Sequence, residues 1–434
     1  MRMTHQQIRK TFQDYFAESG HLIIPSFSLI PVDDPTLLVI NSGMAPLKSY
    51  FTGEKSPPRK RLCDIQKCVR TKDIESVGDS HHLTFFEMMG NWSIGDYFKQ
   101  EAIALAWKMI KEVFGFDVSR IYVTVYGGDA NLSDIPPDDE SHEIWTKFVD
   151  PARIIPLDAE SNFWGPTGET GPCGPCTEIF IDRGPENGCR KTTCGPACGC
   201  GRFLEIWNAG VFMQYHLHEN GQFTKLPFKN VDAGAGLERF ALILQETGSV
   251  YETDLFGPII EVLISGTNLN SGCKSIRIVA DHVRCAAFML ADGIVPANTR
   301  REYVLRRIIR KGLLHANLTE IESGKLLLAA DATVELFRQQ YPELGTSQEK
   351  IRSVLTAETN TFGKVLKRGL KEFERIAGHA GSIVSGEDAF KLHDALGFPL
   401  ELTKELAQTR GLSVDENEFN VRLEQQKQRS RQSR

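Results

Sequence analysis

Leu62-Cys-Asp-Ile-Gln-Lys-Cys-Val-Arg70 and Leu83-Thr-Phe-Phe-Glu-Met-Met89 are the runs whose reading decides the fold. In the first, Cys63, Ile65, Lys67 and Val69 alternate with Asp64, Gln66, Cys68 and Arg70, the spacing of a strand with one strongly polar face. A charged loop, Thr71 to His81, leads to the second run, which Gly90 closes, so an antiparallel hairpin is the economical reading. Further on, Phe203 to Tyr215 and Phe228 to Val231 also read as strands. The latter passes directly into Asp232-Ala-Gly-Ala-Gly-Leu-Glu-Arg239, where Leu237, Phe240, Ala241 and Leu244 take up helical spacing.

Around this centre the chain opens with a helix: Ile8, Phe12, Tyr15 and Phe16 share a face, Thr4 and Gln7 are spaced as a capping box, and Gly20 stops it. An extended segment, His21 to Pro25, precedes a loop carrying Pro31, Asp33, Asp34 and Pro35. Residues 165 to 202 are dense in Gly, Pro and Cys and are expected to hold little regular structure. Beyond residue 275 the pattern is helical, with apolar stripes at Val304, Leu305, Ile308 and Ile309 and at Phe362, Val365, Leu366, Leu370 and Phe373. The tail from Lys427 is polar, basic and expected to fray. The fold class is therefore α+β, with an α+β domain over residues 1–245 and a helical domain over 246–434.

A length of 434 residues suits two or three cores on a prior of about 150 residues per domain. With 41% hydrophobic and 24% charged residues the composition is that of an ordinary globular chain. It excludes wholesale disorder, and no apolar run is long enough to span a membrane. The polar N-terminus resembles no secretory signal, so a cytoplasmic location is expected. A net charge of −6 leaves nucleic-acid contact to local patches. Six of the ten cysteines fall between Cys173 and Cys200, which in a reducing compartment reads as metal before disulfide.

The glycines of the 232–239 segment let backbone approach a ligand, Arg239 aims a cation at phosphate, and Asp232 can hold an ammonium group. A surface Arg after a Gly-rich turn would look the same in isolation. The antiparallel context and the Arg at the third glycine position argue against a dinucleotide fingerprint. Arg70, opposite Phe85 and Phe86, could clamp a nucleotide between phosphate and ring, although core phenylalanines explain those rings equally well alone.

Taken together these residues resemble the alanyl-tRNA synthetases. Pro31-Val-Asp-Asp-Pro-Thr-Leu-Leu38 with Asn41-Ser-Gly-Met44 is similar to their motif 1, Cys68-Val-Arg-Thr71 through Thr84-Phe-Phe-Glu-Met-Met-Gly-Asn91 to motif 2, and Asp232 to Arg239 to motif 3. Phe163-Trp164, Thr170 to Glu178, Glu205-Ile-Trp-Asn208, Ala280 to Arg284, Tyr303 to Arg307 and Asp394 to Pro399 match further, in the family's order. The resemblance implies a class II synthetase sheet flanked by helices, then a helical domain that recognises the tRNA acceptor stem. It implies alanine-tRNA ligase activity through alanyl-adenylate, with ATP and Mg²⁺. Arg70, Asp232 and Arg239 are the implied catalytic set; Arg70, Lys72, Phe86, Met88, Glu205 and Arg239 would bind ATP, with Glu205 a candidate magnesium ligand. Trp164, Asn208, Asp232 and Gly234 would hold alanine. Asn298, Arg300, Arg306, Arg307, Lys311 and Asp394 would meet alanine tRNA: six of the twelve residues from Arg300 to Lys311 are basic, and Arg300, Arg307 and Lys311 are expected on one face opposite the apolar stripe. A plain solvated helix face is the alternative. The family's editing and C-terminal domains have no counterpart in these residues, so if the chain is complete, charging errors with serine and glycine are expected unless another protein clears them; as this fragment, a monomer is expected.

The chain also departs from the family pattern. The loop after Arg70 is short, which leaves Lys72 as the candidate lysine; His82 is followed by Leu83; and Ala233 and Ala235 stand in motif 3. After Asn208, Ala-Gly-Val-Phe212 is one residue longer. These departures keep a second reading open, an adenylating paralogue that charges another small amino acid or a non-tRNA carrier, while a catalytically silent RNA-binding module is the third. Cys189, Cys194, Cys198 and Cys200 form a candidate structural zinc knuckle, with Cys173 or Cys176 able to replace Cys189 and unliganded thiols the alternative. Cys63, Cys68, Cys273 and Cys285 are expected to pack.

Overall fold

The structure, a computed structural model, describes residues 2–432 other than 33, 35 and 167. Asp33 and Pro35 of the expected loop thus lie outside the described residues. The chain forms two compact units, Met1–Glu261 and Val262–Arg434.

The first unit is built on a nine-stranded sheet: β1 Leu22–Ile23, β2 Arg61–Val69, β3 Phe85–Ile94, β4 Ile121–Tyr126, β5 Ile154–Leu157, β6 Phe163–Trp164, β7 Gly171–Asp182, β8 Phe203–Leu217 and β9 Phe223–Gly236. Their order is β1-β2-β3-β9-β8-β7-β4-β5, with β6 paired to β7. In this sheet β1·β2 and β4·β5 pair in parallel and the other described pairs are antiparallel. The expected hairpin is present: Cys68 faces Phe86 and Val69 faces Phe85.

Helix α1, His5–Glu18, starts on the Thr4–Gln7 capping box and buries Ile8, Phe12 and Phe16. Phe12 and Phe16 stack near Trp207 of β8, on one face of the sheet. Arg9 reaches Glu87 of β3 as a buried ion pair at 2.6 Å. The polar face of β2 does not meet solvent: Asp64 and Gln66 are buried, and Gln66 satisfies its amide on the Phe27 backbone. Burial holds the Asp64 carboxyl well above its ordinary value.

Residues 165 to 202 correct the expectation of little regular structure, because Gly171–Asp182 is a strand in the middle of the sheet. Pro175, which has no N–H to give, sits where the register slips between Cys173 and Cys176. Gly174 lets β8 approach, since a Cβ there would meet the Phe212 carbonyl oxygen at 2.1 Å. The remainder, 183–202, stays irregular apart from two short 3₁₀ turns.

The division between units falls after Glu261, later than the 245 read from the sequence. Residues 246 to 256 stay with the first unit because Val250 N–H donates to the Ser80 carbonyl at 3.0 Å and the Tyr251 hydroxyl to that of His82 at 3.0 Å.

The second unit is helical: α2 Lys274–Ala291, α3 Arg300–Leu318, α4 Ser323–Phe337, α5 Gln348–Ala377, α6 Gly386–Leu396, α7 Leu400–Thr409 and α8 Glu416–Gln432. Leu305, Ile308 and Ile309 pack inward as their spacing requires. Helix α8 continues past Lys427 to Gln432. Cys63, Cys68 and Cys285 are buried; Cys273 is only half-buried, at the start of α2. No helix among the described residues is long and apolar enough to cross a membrane.

Candidate active site

The edge-to-edge order β2-β3-β9-β8 fixes which side chains can meet. Residues directly opposite in neighbouring strands share a face, so Trp92 and Asp232, Gly90 and Gly234, and Met88 and Gly236 line up on the face opposite α1. A cavity opens over this face, lined by Arg70, Phe86, Met88, Trp164, Glu205, Asn208, Asp232, Gly234 and Arg239. Lys72 is an exposed residue of the turn after β2, and Asp73 takes the lining position instead.

Arg70 directly follows β2, its Nε donating to the Asn41 carbonyl at 3.3 Å and its guanidinium lying 4.7 Å from the Phe86 ring centroid. Arg239, in the first turn of the helix Leu237–Leu244, donates through Nη1 to the carboxylate and the carbonyl of Glu205, both at 2.8 Å. The strand β9 extends through Gly236, so Asp232 lies inside it rather than at its end. Asp232 accepts from Trp92 Nε1–H at 2.8 Å, and burial pushes its carboxyl up to about 7. Gly234 packs closely under Met88: a Cβ would stand 2.8 Å from Met88 Sδ and would displace that side chain.

Glu178, His81, His82 and Val211 are among the lining residues to which the sequence assigned no role. Glu178 of β7 is buried, accepts from Asn208 Nδ2–H at 3.2 Å, and is held well above the usual carboxylate range by burial and then by neighbouring Glu205. Its place in a Gly-Pro-Cys-rich run hid its strand. His81 and His82 stack at 4.4 Å, with Asp79 accepting from His82 Nδ1 at 2.5 Å. Val211 was missed because it lies three residues after Asn208, which in a regular strand means opposite faces.

Both line the cavity, and the pairing explains why. Against β9, Asn208 faces Gly234 and Val211 faces Asp232, so Ala209 and Gly210 together oppose Ala233. Against β7, Gly210 faces Thr177 and Asn208 faces Glu178, leaving Ala209 unmatched. This is a β-bulge, and it falls in the Ala-Gly-Val-Phe212 run that the resemblance reads as one residue long.

The cysteine loop carries a second candidate centre. Cys189 and Cys198 Sγ are 3.4 Å apart, Cys194 and Cys200 Sγ 3.5 Å, and all four lie within 4.8 Å of one another. Tetrahedral zinc with Zn–S near 2.3 Å spaces its sulfurs about 3.8 Å apart, so the donor set and its spacing fit the metal. Gly199 and Gly201, at φ +63° and +91°, make the turns. Cys173 and Cys176 are buried in β7 and stand outside the cluster.

In the helical unit the expected basic face is only partly presented. Lys311 is buried and pairs with Glu405 at 3.5 Å. Arg306 pairs with Glu358 at 3.1 Å and also donates to Asn298 Oδ1. Arg307 is half-buried, whereas Arg300, Asn298 and Asp394 are exposed, the last accepting from Gln426.

A family model described as tRNA synthetases class II (A) matches residues 7–434. An alanine--tRNA ligase of Thermoanaerobacter sp. (strain X514) is 43% identical over 440 residues, covering 99% of this chain and 49% of its own length. Those of Caldicellulosiruptor saccharolyticus and Dehalococcoides mccartyi (strain BAV1) are each 43% identical, again covering 99% of this chain and 49% of their own lengths. The chain spans about half the length of the curated relatives it matches.

Proposed function

The chain belongs to the class II (A) tRNA synthetases, and on that premise we propose that it is an alanine-tRNA ligase acting in two steps. An alanine carboxylate oxygen attacks the α-phosphorus of ATP, the bond to the bridging oxygen breaks, and pyrophosphate leaves. The terminal ribose hydroxyl of alanine tRNA then attacks the acyl carbon and AMP departs. Both steps gain chiefly from positioning and charge stabilisation, which require no protein nucleophile.

One observation carries the reading: a single cavity brings together Arg70, Phe86, Asp232 and Arg239 from four separate elements. Arg70 is assigned to the α-phosphate, Phe86 to the adenine face with the Met88 backbone at its edge, and Arg239 to the phosphates from the other side. Asp232 would take the alanine ammonium, whose charge offsets the burial that otherwise favours the protonated carboxyl. Trp164, Asn208 and Gly234 bound a small side-chain space. Magnesium arriving with ATP would neutralise phosphate charge, with Glu205 as its oxygen ligand and Glu178 beside it. Zinc on Cys189, Cys194, Cys198 and Cys200 would fold a loop that has few apolar residues to pack. For the acceptor stem, exposed Asn298, Arg300 and Asp394 suit base-edge and phosphate contacts, with Arg306 and Arg307 behind them. Lys311 could join only by leaving Glu405.

Amino-acid-dependent ATP–pyrophosphate exchange tests the reading. Exchange with alanine is the expected result. Exchange only with another amino acid would install the adenylating paralogue instead, and none at all would leave an RNA-binding module.

A further inference from the structure

We infer that the Ala209–Gly210 bulge is a positioning device for the amino-acid pocket, one that preserves which residues of β8 face the substrate despite an extra residue in the strand. The inference rests on the proposed amino-acid activation and concerns how its side-chain wall is built.

Side chains alternate along a strand, so an odd number of added residues turns every later side chain to the other face. In β8 the residue pairs on the cavity face are Asn208 with Gly234 and Val211 with Asp232. Trp207, one residue earlier, points the other way, toward Phe12 and Phe16. Continuing that alternation without a bulge would send Val211 and Met213 to the α1 side and bring Phe212 into the cavity. Instead Val211 and Met213 pack with Trp92, the indole that holds Asp232, and Phe212 stacks on Phe98 at 5.3 Å on the far side. The bulge absorbs the extra residue within two positions, so the face order recovers before Val211. Gly210 has no room for a side chain: a Cβ would meet the Phe212 ring at 2.8 Å and 3.1 Å and Val231 at 3.5 Å. Ala209 is itself buried. The bulge therefore sets the facing of the valine: an odd separation of three from Asn208 reaches the cavity because one residue is bulged out, and an even separation of two would reach it without a bulge.

Parity gives an unusual pattern across deletions. Removing Gly210 alone leaves Asn208 and the valine two apart, on one face of a regular strand, and the amino-acid KM in exchange should stay within about threefold of the parent. Removing both Ala209 and Gly210 makes them adjacent, turns the valine away, and should raise that KM at least thirtyfold with the KM for ATP within threefold. The smaller deletion failing in folded protein, or the larger one retaining the parent KM, would overturn the inference. If the double deletion does not fold, Val211→Ala substitutes for it: the amino-acid KM should rise three- to tenfold with the ATP KM unmoved, and an unchanged amino-acid KM would sink the idea. A crystal structure of the Gly210 deletion decides independently of activity. The valine on the cavity face is expected, and the valine on the α1 face refutes it even if no amino acid supports exchange.

Discussion

The same residue types serve opposite ends in the two units. In the sheet unit Arg70 rests on a carbonyl and a phenylalanine ring, and Arg239 pairs with a Glu205 that is itself a third exposed, so both cations stand at a cavity wall. In the helical unit Lys311 is sealed against Glu405, and Arg306 is shared between Glu358 and Asn298. A basic residue at a cavity with incomplete partners can be completed by a ligand, whereas one whose partners are already supplied by the fold contributes to packing. Counting basic residues along α3 cannot make that distinction.

Substitutions can break this contrast. The largest effect is expected at Asp232: Asp232→Ala should lower alanine-dependent exchange at least about a hundredfold with folding retained, since a buried charge partner for the substrate ammonium is lost. Undiminished exchange in the folded variant would remove Asp232 from the pocket's chemistry. Arg239→Ala should cost about a hundredfold in exchange rate, on the scale of deleting one charge-stabilising donor, with little change in thermal midpoint.

Lys311→Ala should do the reverse, destabilising the folded chain by roughly 2 kcal/mol because a buried cation is removed from Glu405, which keeps only His315 Nε2 at 2.7 Å of its two ion-pair partners, with exchange unaffected in the cold. A Lys311 variant of parental stability with weakened tRNA binding would erase the distinction between the units.

Smaller is the pH effect. Only ionised Asp232 holds an ammonium, and its carboxyl lies near 7, so the alanine KM should climb toward about tenfold per unit as pH falls below that value and flatten above it. Asp232→Asn should abolish that slope. Smallest is the cysteine loop: one equivalent of zinc is expected, and Cys198→Ser should release it and lower the thermal midpoint by about a few degrees. Purified protein with less than about 0.2 equivalents would dismiss the metal.

Local signals were the legible ones. The capping box of α1, each strand of the hairpin around Arg70 and the Gly-rich approach to Arg239 lie within about ten residues, and spacing alone exposes them. Strand β7 was hidden because glycine and proline argue against a strand wherever the partners are unknown; here a register slip accommodates Pro175 and close approach of β8 uses Gly174. Glu178, carried by that strand, was hidden with it. The four thiols were legible as a set, while their Sγ spacing was not.

By itself, then, the sequence determined the first helix, the hairpin strands, the helical second half, the order of the motifs and the membership of the family, because periodicity and side-chain type are properties of neighbours in the chain. Which carboxylates and cations are spent on each other, and which face of β8 the valine occupies, only the tertiary structure decided. Ion pairing such as Lys311 with Glu405 joins residues far apart in sequence. A bulge is defined by the strands on either side of it, so Ala209 and Gly210 acquire their meaning from Ala233 and Thr177.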